Sequence, residues 1–357
     1  MQDFFYYCSS PIEWKERGYL LRYFFYFCEK KTAKCNEYMG TEFRTICSIE
    51  KSMKGLTYTD QILSLGSCFA EHIGNKLDTA FFQVDINPFG VLYNPVSILN
   101  SIALLVEGKQ FTEADIFEYH SLWHSFSHSN LFSDRSPEIF LNKINSRLNK
   151  ATELFQKTGF LLITFGTAWV FEERKSGSVV SNCHKLPSTF FTRRRLSVEE
   201  IVQDYTEMIS KLQSLFPTLY FIFSVSPIRH WKDGAHENNL SKSILHLAID
   251  QLQKQFSNVL YFPAYEIQLD ELRDYRFYAS DMFHPSDVAV DYIWQRFSET
   301  YFDSSTLKIM NELMQLSSDL THRPLHPESE AFLKFQTQLE QKIVSLKNKY
   351  PFLIDRI

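Results

Sequence analysis

The sequence predicts an α/β fold: three layers, α/β/α, around a five-strand parallel sheet, with helices appended at the C-terminal end. Two observations carry that prediction. Short continuous apolar runs at 62–66, 160–165, 219–225 and 259–262 read as strands buried on both faces. Helical patterns lie between them, so successive strands are expected to run parallel and to be joined by crossover helices.

The elements follow in order. Ile62-Leu63-Ser64-Leu65-Gly66 is the first strand and ends in Gly66-Ser67. Residues 68–81 continue at once as a helix, with Ala70, Ile73, Leu77 and Ala80 at helical spacing. Gln83–Ile86 leads into the turn Asn87-Pro88-Phe89-Gly90. Residues 95–106 form a helix with Pro95 in its first turn, where proline loses no hydrogen bond. Residues 111–135 read as a loop, and 136–156 as a helix before the strand Phe160–Phe165. In the helix at 196–215, Ser197 and Glu200 stand at capping-box spacing. Leu219–Val225 is a strand, 239–255 a helix and Val259–Phe262 the last core strand. A helix at 286–303 follows Pro285, and 305–316 and 328–348 read as appended helices. The second of these shows Phe332, Phe335, Leu339, Ile343 and Leu346 at helical spacing, which reads as a packing face.

At 357 residues the chain is long enough to bury a full core. The reading divides it into an aromatic-rich extension at 1–38, a main domain at 39–303 and C-terminal helices at 304–357. Met39 is a plausible true start; the alternative is that 1–38 is an aromatic arm packed on the body. The net charge is −5 and no broad basic face is visible, so nucleic acid is not an expected partner. The densest basic cluster, Arg193-Arg194-Arg195, reads as a solvated turn. The six cysteines form no C-x-x-C pair, which reads as reduced thiols and a cytoplasmic protein. The chain holds no stretch of 18 apolar residues, so no membrane span is expected.

The chemistry is expected at Ser67, at the junction of the first strand and its helix. A helix N-terminus offers free N–H groups and positive partial charge, where an oxyanion can be held. A serine hydroxyl is a weak nucleophile and needs a base. Asp281-Met282-Phe283-His284 can supply one from a single loop, with His284 as the base and Asp281 holding its imidazole. The competing reading makes Ser67 a helix cap, Asp281 a turn former and His284 a surface ring. Two further segments lie in loops after strands, on the side where α/β proteins bind ligands. Of these, Asn182-Cys183-His184-Lys185 offers His184 to substrate hydroxyls, and Arg229-His230 offers a planar clamp for a carboxylate or phosphate. His120, His124 and His128 recur every four residues, but their surroundings make a poor helix, and no metal or cofactor is expected.

Several separated blocks resemble the GSCFA family, which is related to the SGNH (GDSL-like) hydrolases. They are Gly66-Ser67-Cys68-Phe69-Ala70, Asn87-Pro88-Phe89-Gly90 with Tyr93-Asn94-Pro95, and Thr164-Phe165-Gly166-Thr167-Ala168-Trp169. Asn182–Lys185, Ser226-Pro227-Ile228-Arg229-His230 and Asp281–Ser286 complete the series. The resemblance implies a flavodoxin-like sheet, a Ser67–His284–Asp281 triad and hydrolysis of an O-acyl ester through an acyl-enzyme. It implies a small-molecule or carbohydrate substrate, acetylated sugars among them. Gly90 matches the position where a glycine N–H joins the oxyanion hole beside the N–H of the nucleophile. The SGNH pattern adds an asparagine from a Gly-x-Asn-type third block, and here that block reads Gly166-Thr167-Ala168-Trp169 and lacks it. Thr167, Asn94 and Asn182 are the candidates to replace it. An acyltransferase using the same triad, or a binding module without catalysis, are the alternatives.

Overall fold

The computed structural model describes residues 44–357, apart from 322–325, 327 and 355. The expectations for 1–38, including Cys8, Cys28 and Cys35, lie outside the described residues.

The strands β1 (Gln61–Gly66), β2 (Gln83–Ile86), β5 (Thr158–Phe165), β9 (Tyr220–Val225) and β10 (Val259–Phe262) form one sheet. Its order is β10-β9-β5-β1-β2, and every pairing is parallel. Alternate side chains on these strands enter opposite cores, as the two-residue period of a strand requires. Leu63, Leu65, Leu161, Ile163, Phe221 and Phe223 face one side. That side is covered by α2 (Pro95–Glu107), α3 (Pro137–Phe155), α4 (Val198–Leu215) and α5 (Gly234–Gln255). Ile62, Phe160, Leu162 and Ile222 face the other side. There α1 (Cys68–Thr79) and α6 (Asp287–Tyr301) close the layer, joined by α7 (Ser304–Thr321) and α8 (Glu330–Lys349). The fold is therefore the expected three-layer α/β/α sheet with C-terminal helices.

Helix boundaries follow the local chemistry. The Asn94 side chain accepts from Ser97 N–H at the start of α2, and Ser197 and Glu200 form the anticipated capping box on α4. Ser286 accepts from Ala289 N–H and starts α6.

Two small antiparallel sheets depart from the sequence reading. β3 (Phe117–Tyr119) and β4 (Leu122–His124) make a hairpin inside the segment expected to be a loop. β6 (Trp169–Glu173) pairs with β7 (Val179–Val180) and with β8 (Phe191–Arg195). The expected solvated turn at Arg193–Arg195 is thus a strand. Its charges are paired: Arg193 with Asp233, Arg194 with Glu172 and Glu200, and Arg195 with Glu237. Among the described residues no helix is long and apolar enough to cross a membrane.

Candidate active site

The strand order changes direction between β1 and β5, and the crevice at such a switch point is where open α/β sheets bind ligands. Ser67 sits there as the N-cap of α1, with extended backbone and no capping bond from its side chain. Gly66 makes this placement possible. Its φ is +138°, and a Cβ would fall 2.3 Å from Thr164 O. Only glycine allows β1 to press against β5 at that point. Ser67 is 1% exposed, and its Oγ is buried without a hydrogen-bond partner.

The other two members of the expected triad come together on one loop. His284 Nδ1 lies 2.6 Å from Asp281 Oδ2. Asp281 Oδ1 accepts from Phe283 N–H at 2.9 Å and from His284 N–H at 3.0 Å. The backbone bonds from His284 and Phe283, with the ring bond, hold the Asp281 carboxyl down to about 2. The loop is closed by Ala279 N–H donating to His284 O at 2.8 Å and by Met282 at φ +62°. Both side chains are about half exposed, at 44% for His284 and 45% for Asp281. α6, which follows this loop, packs against α1, which follows Ser67. Burial pushes the His72 ring of α1 down, and the nearby His284 adds to it. The dyad and the serine therefore share one end of the sheet. The Ser67–His284 hydrogen bond itself is not formed, since Ser67 Oγ has no partner.

The residues expected to hold an oxyanion or substrate are tied elsewhere. Ser67 N–H donates to Thr164 O at 3.3 Å, and Gly90 N–H to Asn87 O at 2.7 Å. Asn94 caps α2, and Thr167 Oγ1 lies 3.1 Å from Ser241 Oγ while accepting from Trp169 N–H. Asn182 Oδ1 accepts from His184 N–H at 2.8 Å. The His184 ring is 4% exposed, with Nε2 2.8 Å from Ser125 O and Nδ1 2.5 Å from Asn130. Burial pushes that ring down to about 4, and its two contacts hold two loops together. His124 is spent the same way, on Ser133 and Tyr119. Among the described residues no cluster of side chains is arranged to hold a metal ion. Arg229 stacks over Trp231 at 5.2 Å and donates to Asn239 Oδ1, with its Nε buried and unpartnered.

Two residues at this end escaped the sequence reading. Asn87 follows β2 at φ +41°, and its Oδ1 accepts from Gly66 N–H at 2.9 Å. It is 8% exposed, and its Nδ2 is buried without a partner. The sequence marks the Asn-Pro-Phe-Gly turn and points to Gly90 within it; the structure places the Asn87 side chain against Gly66. Lys242 of α5 is 2% exposed and donates to Gly166 O at 2.8 Å and to Ser226 O at 2.7 Å. It thereby joins the ends of β5 and β9. Burial, then the Arg229 charge, push its ammonium down to about 7. The readable signal was a lysine on the buried stripe of α5, in line with Asn238, Ser241, Leu245 and Leu252.

Beside the His284 loop runs a groove of about 530 Å³, lined by Arg229, Trp231, Tyr275, Tyr278, Met282 and Phe283 among others. Trp231, Tyr275 and Phe283 are exposed along it.

The model of the GSCFA family matches residues 61–297, which contain every candidate site residue. The model described as GSCFA domain protein, C-terminal domain, matches residues 313–355. No curated protein matches the chain.

Proposed function

The chain belongs to the GSCFA family, and from that premise we propose that it is a serine acyl-ester hydrolase acting through a covalent acyl-enzyme. One observation carries the reading. A serine at the switch point of the sheet shares its end of the fold with a preformed Asp281–His284 pair. The likeness to SGNH hydrolases in the sequence blocks points the same way.

In this mechanism Ser67 Oγ attacks the ester carbonyl carbon while His284 Nε2 takes its proton. The tetrahedral intermediate collapses, and His284 returns the proton to the departing alkoxide. Water then attacks the acyl-enzyme with the same base, releasing the carboxylic acid and free Ser67. Asp281 accepts from Nδ1–H throughout and offsets the imidazolium charge. The first step needs Ser67 Oγ and His284 Nε2 brought into hydrogen-bond reach, because the bond between the two is open in this structure. The groove with Trp231, Tyr275 and Phe283 suits the apolar face of a sugar ring, which fits a carbohydrate O-acyl ester as substrate.

The covered Ser67 hydroxyl favours one second reading, a ligand-binding module without turnover. Fluorophosphonate labelling of the purified protein, with the adduct located by peptide mass spectrometry, separates the two. The hydrolase reading expects labelling at Ser67 that is absent in Ser67→Ala. Folded wild type that stays unlabelled, and inert toward acyl esters, supports the binding module instead. Product analysis with and without a sugar acceptor then separates hydrolase from acyltransferase.

A further inference from the structure

An oxyanion needs N–H donors that are free at the moment charge develops. Around Ser67 the expected donors are engaged. Ser67 N–H is bound to Thr164 O, Gly90 N–H to Asn87 O and Thr167 Oγ1 to Ser241. One amide at the nucleophile is only half engaged. Asn87 gives its Oδ1 to Gly66 N–H, the residue directly before Ser67, and leaves its Nδ2 buried and unpartnered.

A buried polar atom without a partner forfeits its hydration with nothing in return, so such atoms are uncommon in folded proteins and call for an explanation. Here two meet at Gly66: Asn87 holds its N–H, and Ser67, whose Oγ is orphaned as well, is the next residue. The Asn87 amide is rigidly placed. Its backbone N–H donates to Ser64 O at 2.9 Å, its backbone O accepts from Gly90, and its φ of +41° is a conformation that asparagine tolerates better than most residues. Pinning Oδ1 on Gly66 N–H fixes the amide plane and leaves only Nδ2 available to a ligand. Asn238 Nδ2 is also unpartnered, but its Oδ1 holds His230 N–H on the loop after β9, away from the residue that precedes Ser67.

We propose that Asn87 Nδ2 is the side-chain donor of the oxyanion hole, supplied from the end of β2. The inference rests on the reading of Ser67 as nucleophile. As the Ser67 Oγ–carbon bond forms, the carbonyl π pair moves onto oxygen, and Asn87 Nδ2–H donates to that oxygen without giving up its proton. Asn87 thereby takes the place that Thr167, Asn94 and Asn182 do not fill.

Asn87→Asp and Asn87→Gly test it. Aspartate keeps an acceptor for Gly66 N–H and replaces the donor with an oxygen. Glycine tolerates the positive φ and removes the side chain altogether. The readouts are the second-order rate of fluorophosphonate labelling at Ser67 and the hydrolysis of 4-nitrophenyl acetate, with melting followed in parallel. Both variants are expected to react about 10²–10³-fold more slowly, the loss seen when a single oxyanion donor is removed. If Asn87 served only to hold Gly66, Asn87→Asp would melt and react like wild type. Asn87→Asp labelling at Ser67 at close to the wild-type rate overturns the proposal and leaves the Ser67 reading standing. Wild type that takes no label at Ser67 overturns both. Should Asn87→Gly fail to fold, the Asn87→Asp rate decides alone.

Discussion

Asp281 owes its low proton affinity to two backbone N–H groups of its own loop and to the His284 ring. A depressed carboxyl stays ionised until pH falls to about 2, so protonation of Asp281 cannot set the acid limb of activity in the pH 4–8 range. Asp281→Asn keeps an oxygen for the backbone bonds but turns a donor toward His284 Nδ1. Turnover should fall by about 10⁴-fold with little change in melting temperature. Lys242 makes the opposite kind of prediction. Its folded-state proton affinity is lowered to about 7, whereas in an unfolded chain lysine titrates near ~10.4. Between those values the unfolded chain binds the proton that the folded chain releases, so stability from this residue rises with pH. Urea unfolding of wild type against Lys242→Met, from pH 7 to pH 10, should show the wild-type advantage growing with pH; a flat difference would contradict it. The strand-to-helix junction at Ser67 and the loop that pairs Asp281 with His284 were legible because both are local patterns. Asn87 and Lys242 were not, since an orphaned amide and a lysine bridging two strand ends exist only once β2, β5 and β9 lie side by side.

The elements of the main sheet were legible for the same reason that they are stable. Strands buried on both faces are apolar throughout, and the helices between them carry stripes and caps. Ser197→Ala should remove one side of the capping box on α4 and cost about 1 kcal/mol in chemical denaturation, with turnover unchanged. The β6–β8 sheet was hidden by its charge. Arg193, Arg194 and Arg195 look like a solvated turn in a linear sequence, whereas in the fold their partners include Asp233, Glu172 and Glu237, which lie on other elements. Arg193 also stacks 4.2 Å from the Trp169 ring centre, so the strand gains its apolar contact from a guanidinium plane. The β3–β4 hairpin was missed because its strands are three residues long and leave no period to read.

At the scale of the molecule, the layer that holds α1, the helix after Ser67, is finished by residues far downstream. Leu313 and Leu316 of α7 and Leu346 of α8 join Phe69, Ile73 and Leu77 of α1 in one core. Leu313→Ala, fully buried there, should cost about 2–5 kcal/mol and lower the midpoint of a single cooperative transition. A separate early transition for the C-terminal helices would show instead that they unfold independently of the sheet. Fold class was readable from the alternation of elements, but this sharing of a core was not, because a helical stripe does not name the surface it covers. The sheet order also schedules the birth of the site on the ribosome. β1 is complete at Gly66, yet its inner neighbour β5 begins only at Thr158, and the proposed base arrives at His284. At ~5–20 residues per second the serine is synthesised on the order of 10–40 s before the histidine that would activate it. During that interval the nascent chain carries an ordinary, unreactive hydroxyl. On the proposed mechanism, reactivity is thus withheld by translation itself until the sheet that contains it can close.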